Sequence, residues 1–198
     1  MTMTGDGKSW PSEMVNIDIV VATARDSFAD ALLRDLQRTR NHIKYLWPVP
    51  EMLPADTDVI FCDLLPDLPS RLPWLPGEPK AALVVLLAPG VTVDLDLLRK
   101  TAPEAVLHRP FTTSAVLSSL LLARSRFTYE RRLRGRLEKL DATLRTMRSV
   151  ERAKTILMNR RKIDEDEAYG FLRRQAMQRR VSVGTIAAAI VDADDLMG

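Results

Sequence analysis

The apolar positions of this chain change their period twice, and the changes mark out its parts. In the first hundred residues they form short continuous runs: 17–22 (IDIVVA), 58–62 (DVIFC) and 82–87 (ALVVLL). Runs that are brief, aliphatic and β-branched are the pattern of parallel strands covered on both faces. Between the first and second strands, residues 27–38 place Phe28, Ala31, Leu32 and Leu36 on one face at helical spacing. A weaker second strand fits 42–46 and a short fifth one fits 105–107. Strands that alternate with helices or loops predict a parallel sheet with crossovers, hence an α/β domain.

From Thr112 the pattern becomes helical. The only breaker before Ile163 is Gly135, which costs about 1 kcal/mol in a helix interior. Val116, Leu117, Leu120, Leu121 and Leu122 are expected to pack on the sheet as its last helix. Further on, Leu133, Leu137, Leu140, Leu144 and Met147 recur at spacings of 4, 3, 4 and 3, a heptad seam set among charged neighbours. This predicts a dimerisation helix; the competing reading is a single helix packed on its own domain.

Three short amphipathic patterns fill 150–191. Val150, Ala153, Ile156 and Leu157 form the apolar face of the first, which is expected to end near Asn159. Asp164, with Glu167 three residues on, reads as a capping box at the start of the second, which buries Ala168, Phe171, Leu172 and Ala176. Ser182 is placed to cap the third, which buries Val183, Ile186, Ala187 and Ile190.

Proline interrupts the α/β part. Pro66, Pro69, Pro73, Pro76 and Pro79 crowd into 64–80, where they remove the backbone donors a helix needs, so an extended loop is expected. The interval 48–54 is likewise too broken for a full helix. Trp47 and Trp74 lie in these proline frames. Ordinary packing is the favoured reading of each, and an exposed partner-docking surface is the alternative.

Charge is divided unevenly. Residues 1–124 hold 12 Lys+Arg against 15 Asp+Glu, and residues 125–198 hold 17 against 11, so a net −3 precedes a net +6. A basic third on a slightly acidic body points to a polyanionic partner for that third alone. No stretch is long and apolar enough to span a membrane, and 1–14 reads as a loose polar tail. The single cysteine, Cys62, excludes an internal disulfide and a cysteine-based zinc site, and it reads as a small buried hydrophobe. A cytoplasmic location is expected. His42 and His108 have no partner spacing, and there is no glycine-rich phosphate loop or carboxylate pair, so an enzyme is not expected and no cofactor or metal is implied.

Ala153-Lys154, Leu157-Met158, Glu165, Ala168, Leu172-Arg173, Ala176-Met177 and Ile186-Ala187 stand at the spacings of the ANTAR domain, which 150–198 resembles. The segment Trp47-Pro48-Val49-Pro50-Glu51 extends the likeness upstream, to antitermination regulators of the AmiR, aliphatic amidase regulator, type. The resemblance implies a degenerate receiver-like, flavodoxin-like domain over 15–124, a coiled-coil dimerisation helix over 125–149 and an RNA-binding three-helix domain over 150–198. It also implies binding to paired leader mRNA hairpins, which prevents terminator formation, by a homodimer that an amide-sensing protein of the periplasmic-binding type sequesters. Lys154, Arg160 and Arg161 on the first helix are expected to form the RNA surface. Tyr169, Arg173, Arg174, Gln178, Arg179 and Arg180 on the second helix and its exit complete it. For Tyr169 and Met177, packing between helices stands as an equal reading.

The strand order also resembles that of response-regulator receivers, in which an aspartate at the end of the third strand accepts phosphate with the help of Mg²⁺. Asp63 stands at that position, but the acidic pair expected after the first strand is replaced by Ala22-Thr23-Ala24-Arg25. Asp26 comes too late, Leu87-Ala88 occupies the threonine or serine position, and Arg109-Pro110-Phe111 carries arginine where lysine is usual. Asp63 is therefore read as a vestigial phosphoacceptor position, salt-bridged to Arg109. The alternatives are a phosphorylation-activated regulator, or a DNA-binding regulator whose last two helices form a helix-turn-helix.

Overall fold

The computed structural model describes residues 14–75 and 77–197, so residues 1–13 of the tail expected over 1–14, with Pro76 and Gly198, lie outside the described residues. It divides into two compact units, one ending at Arg131 and the other beginning at Arg132.

In the first unit, β1 (Asp18–Ala22), α1 (Ser27–Gln37), β2 (His42–Leu46), β3 (Val59–Asp63), α2 (Leu68–Arg71), β4 (Ala82–Leu87), α3 (Leu95–Thr101) and β5 (Ala105–His108) lead into α4 (Thr113–Arg161). The five strands are parallel and run in the order β2-β1-β3-β4-β5. This is the doubly wound order in which strand ends gather functional side chains. Successive strand residues point to opposite faces, which explains why the runs are apolar throughout. Ile19, Val21, Phe61, Val84 and Leu86 pack beneath α1 and the first turns of α4, against Leu32, Leu36, Val116, Leu120, Ala123 and Phe127. Val20, Ala22, Ile60, Cys62, Leu83 and Val85 face the other way, toward Leu53, Leu68, Leu72 and Leu98.

That second face is covered mostly by loop. No helix joins β2 to β3, and among the described residues of 64–80 only the one-turn α2 is helical, where an extended loop is expected from the sequence. The substitute is a polar clamp: Arg71 Nη1 donates to the carbonyls of Val49 and Pro50 at 2.8 Å each, and Leu53 N donates to the Arg71 carbonyl at 2.8 Å. Asp67 pairs with the same guanidinium at 2.7 Å, which holds its carboxyl below the usual carboxylate range. These bonds satisfy backbone groups that a helix would have satisfied internally.

Several expectations need correction. Leu121 and Leu122 are exposed, and the face toward the sheet continues from Leu120 through Ala123 and Phe127, about one and two helical turns further along. The core face of α1 uses Ala29 rather than Ala31. Met14, assigned to the tail, is buried in the core. Trp74 is partly buried against the second face, whereas Trp47 is 54% exposed. Helix α3 was not expected at all; Asp94 caps it by accepting from Leu97 N at 2.9 Å.

The second unit contains the rest of α4, α5 (Glu165–Arg179) and α6 (Val183–Met197). Asp164 caps α5 through a full capping box with Glu167, and Ser182 Oγ accepts from Thr185 N at the start of α6. Arg180 closes α5 in the left-handed conformation at φ 56°. Ala153, Leu157, Ala168, Leu172, Ala176, Ile186 and Ala187 make the core, while Val150, Ile156, Phe171, Val183 and Ile190 are only partly buried. The small residues permit close approach. A Cβ on Gly184 would stand 2.5 Å from Thr146 Cγ2, so this position accepts no side chain as built. Thr146 follows Leu144 by two residues, roughly 200° around the helix. The leucine seam thus looks away from α6, and Leu133, Leu137, Leu140, Leu144 and Met147 are all exposed in the single chain.

Candidate functional site

Two places collect charged side chains. The first lies at the carboxyl ends of the strands. Asp63 ends β3, Thr23 follows β1, and Arg109 follows β5, so the sheet brings together residues far apart in the chain. Arg109 Nη2 donates to Asp63 Oδ1 at 2.9 Å and to Thr23 Oγ1 at 2.5 Å, and the Thr23 hydroxyl donates to Asp63 Oδ2 at 2.6 Å. The expected Asp63–Arg109 pair is therefore formed. Asp26, set aside as too late in the chain, completes the cluster. As the N-cap of α1 it accepts from Ala29 N through Oδ1 at 2.7 Å, and its Oδ2 receives Arg109 Nη1 at 2.6 Å. Thr23, like Asp26, was missed as a member. Its only signal in the sequence was its place directly after a buried strand.

The chemistry of this cluster is that of an internal ion network that engages both terminal nitrogens of Arg109 and leaves its buried Nε without a hydrogen-bond partner. Both oxygens of Asp63 are engaged, and the guanidinium sits between the two carboxylates where a divalent cation would have to stand. Arg109 has a side chain only 9% exposed, so its pairing is made in a poorly hydrated setting, where charge-assisted hydrogen bonds are strong. Mg²⁺ needs several hard oxygen ligands around an open centre. These residues do not fit it, and among the described residues no group of three or more His, Cys, Asp or Glu is placed to hold a metal. Beside Asp63, burial and the neighbouring carboxylate push the Cys62 thiol up to about 12, so it stays protonated and inert. A cleft of about 340 Å³ opens next to the cluster, lined largely by apolar side chains such as Leu64, Leu87, Val93 and Leu97.

The second place is the surface of the C-terminal unit, and here the expected residues separate into two groups. Lys154 is not on the outer surface. It is 8% exposed, and its ammonium bridges Glu151 at 2.8 Å and Glu165 at 2.6 Å. Those two carboxylates hold its pKa above the ordinary lysine value. Glu165 opens α5, so Lys154 is a joint between α4 and α5. Arg160 pairs with Asp194 of α6, Arg152 pairs with Asp195, and the Arg161 guanidinium lies 4.1 Å over the Phe171 ring. Gln178 accepts from Gln175 at 3.2 Å. These pairs link the acidic end of α6 to arginines 34 and 43 residues away, a separation at which local sequence pattern gives no signal.

Arg173, Arg174, Arg179 and Arg180 behave differently. All four are exposed on α5 or its exit, and none makes an ion pair within the described residues. Tyr169 is exposed on the same helix, so packing between helices is not its role. Four exposed arginines thus stand together on α5 and its exit, whereas α6 already engages Arg152 and Arg160 of α4.

A parallel receiver-type sheet whose strand-end cluster is sealed by arginine, followed by a three-helix unit with an arginine-rich face, defines a class of regulator with a degenerate input domain and a polyanion-binding output. Comparison with known families agrees. The model of the AmiR N-terminal family matches residues 17–124, and that of the ANTAR domain matches residues 138–191. The first match alone spans more than half of the chain, so this protein belongs to the AmiR N-terminal family and carries an ANTAR domain behind it. That makes it an RNA-binding regulator of transcription of the antitermination type. It is 26% identical over 180 residues to the aliphatic amidase regulator of Pseudomonas aeruginosa, which covers 88% of this chain and 91% of that relative. It is 31% identical over 112 residues to the transcriptional regulatory protein PdtaR of Mycobacterium tuberculosis, covering 57% of this chain and 55% of the other. Among solved structures, the response regulator StyR is similar at a TM-score of 0.47 and 16% identity, covering 89% of this chain and 99% of that one. Among the described residues no helix is long and apolar enough to cross a membrane.

Proposed function

We propose that this protein binds paired hairpins in a leader mRNA and keeps the overlapping terminator from forming, and that it does so without a phosphate signal. The observation that carries this reading is the set of four unpaired arginines on α5 and its exit, inside the segment that matches the ANTAR domain. Guanidinium groups bind phosphates by two parallel bonds and stack on unpaired bases, which suits looped RNA. Residues 15–124 act as a pseudo-receiver, 125–149 as the dimerisation helix through Leu133, Leu137, Leu140, Leu144 and Met147, and 150–198 as the RNA-binding domain. Two copies engage two hairpins, and the second contact gains from the first because it is intramolecular. Control falls to a ligand-sensing protein that sequesters the regulator; its likeness to an amidase regulator supports an amide-type inducer.

The test is selection of binders from a hairpin library with randomised loops, followed by competition against paired hairpins, single hairpins and duplex DNA. Paired hairpins should win, with affinity that falls steeply as salt rises. Preference for duplex DNA would support the helix-turn-helix reading instead. One observation favours phosphorylation, namely the position of Asp63 at the end of β3. Against it stand the engaged oxygens of that side chain. Acetyl phosphate with Mg²⁺ should leave the mass of the protein unchanged, and stoichiometric addition of a phosphoryl group would overturn this part of the proposal.

A further inference from the structure

Tyr169, Arg173 and Met177 follow one another at i, i+4 and i+8 along α5 and therefore share one face. The core of the unit is built from the neighbouring stripe of Ala168, Leu172 and Ala176. The first stripe is not needed to hold the helices together, yet it carries an aromatic ring 47% exposed and a thioether side chain 71% exposed. No side-chain hydrogen bond or ion pair engages any of the three among the described residues. Gly170 lies beside them, and a Cβ there would stand 3.4 Å from Arg174 Nη1. The Arg174 guanidinium is thus folded back along the helix, over ground where a side chain would otherwise rise. The result is a low, flat strip with a ring, a sulfur atom and two guanidinium groups around it.

Charge gives this strip a direction. Glu165, Asp166 and Glu167 occupy the first turn of α5, and Arg179 and Arg180 stand at its end. Phosphates are drawn to the far end and repelled from the near one. Toward α4 and α6, Arg152 and Arg160 are already paired with Asp195 and Asp194, so these two offer a backbone less free charge than the arginines of α5.

We infer that this strip is a base-receiving shelf: one unpaired loop base lies on the Tyr169 ring and against Met177, while Arg173 and Arg174 hold the flanking phosphates. The inference rests on the RNA-binding reading above and adds the contact that distinguishes an open loop from a paired stem. A duplex keeps its ring faces stacked inside, so it has nothing to lay on the tyrosine, whereas a loop base can be splayed out. Stacking on an aromatic side chain does not depend on charge, and methionine sulfur is polarisable enough to line the other edge.

The experiment uses the full chain and a hairpin taken from the randomised-loop selection, with 2-aminopurine placed at each loop position in turn. One position should lose fluorescence on binding. Tyr169→Ala should remove that quench and weaken binding roughly five- to a hundred-fold with the salt slope unchanged. Tyr169→Phe should keep both, and Met177→Ala should lose part of each. Arg173→Glu should instead flatten the salt slope. The shelf is overturned if Tyr169→Ala and Met177→Ala bind and quench as the parent does, or if Tyr169→Phe fails as badly as the alanine variant, which would make the hydroxyl the contact. It is also overturned if Tyr169→Ala alters sedimentation, because the face would then belong to a second copy. Failure of the parent protein to select any hairpin would instead sink the RNA-binding reading itself.

Discussion

A single guanidinium decides what the strand-end cluster can do. Arg109 joins two carboxylates and a hydroxyl, so its removal leaves Asp26 and Asp63 facing each other without a counter-charge. Arg109→Ala is expected to cost about 2–4 kcal/mol in the urea unfolding of the N-terminal unit, whereas Thr23→Val should cost about 1 kcal/mol. If Arg109→Ala proved neutral, the cluster would not be holding the strand ends together. Glu104 offers a separate, pH-dependent test. It is nearly buried, and its carboxylate accepts from Leu83 N at 2.6 Å. Burial raises its pKa above the ordinary glutamate value, the Leu83 bond notwithstanding. The folded protein therefore binds this proton more tightly than the unfolded chain does. The contribution is fully present below the unfolded pKa and is lost as pH rises through the folded one. Glu104→Gln keeps an acceptor for Leu83 and has no proton to lose, so its stability relative to the parent should improve between acid and neutral pH in urea titrations. A constant difference across that range would count against the assignment.

In the C-terminal unit a small core is supplemented by specific contacts between elements. Lys154 ties α4 to α5, the Asp164 capping box starts α5, and the contact of Gly184 with Thr146 sets α6 against α4. Asp164→Ala should lower the melting free energy of the C-terminal unit by about 1 kcal/mol. Gly184→Ala should cost about 1–3 kcal/mol by overpacking, and Thr146→Ser in the same chain should recover part of it by removing the methyl group that the new Cβ meets. Absence of rescue in thermal unfolding would mean that the strain lies elsewhere. The leucine seam of α4 is an element-scale feature too. Leu137→Glu with Leu140→Glu should turn a dimer into a monomer in sedimentation equilibrium. A parent protein that sedimented as a monomer at tens of micromolar would dispose of the seam as an interface.

For the molecule as a whole, the decisive property is the distribution of charge that remains after internal pairing. The formal +6 of residues 125–198 overstates the free positive surface, because Arg152, Lys154 and Arg160 are already paired. Arg173→Glu together with Arg179→Glu should abolish hairpin binding and leave the sedimentation of the protein unchanged; normal binding would place the RNA elsewhere. Much of this organisation was legible beforehand. The strands announced themselves as continuous aliphatic runs, the Asp164 and Ser182 caps by residue type and spacing, and the loss of helices by prolines. Those signals are local, arising within about ten residues of chain. Helix α3 escaped because two turns leave too short a period to recognise, and Leu121 and Leu122 were misplaced because consecutive residues stand about 100° apart on a helix, so they cannot share the face that Leu120 takes. What only the tertiary structure decided was who meets whom. Asp26 and Arg109 are 83 residues apart, and Arg152 and Asp195 are 43 apart. Sequence alone determined which side chains were charged and which faces were apolar. The fold determined which charges cancel, because electrostatic pairing depends on distance in space, and a one-dimensional pattern carries no such distance.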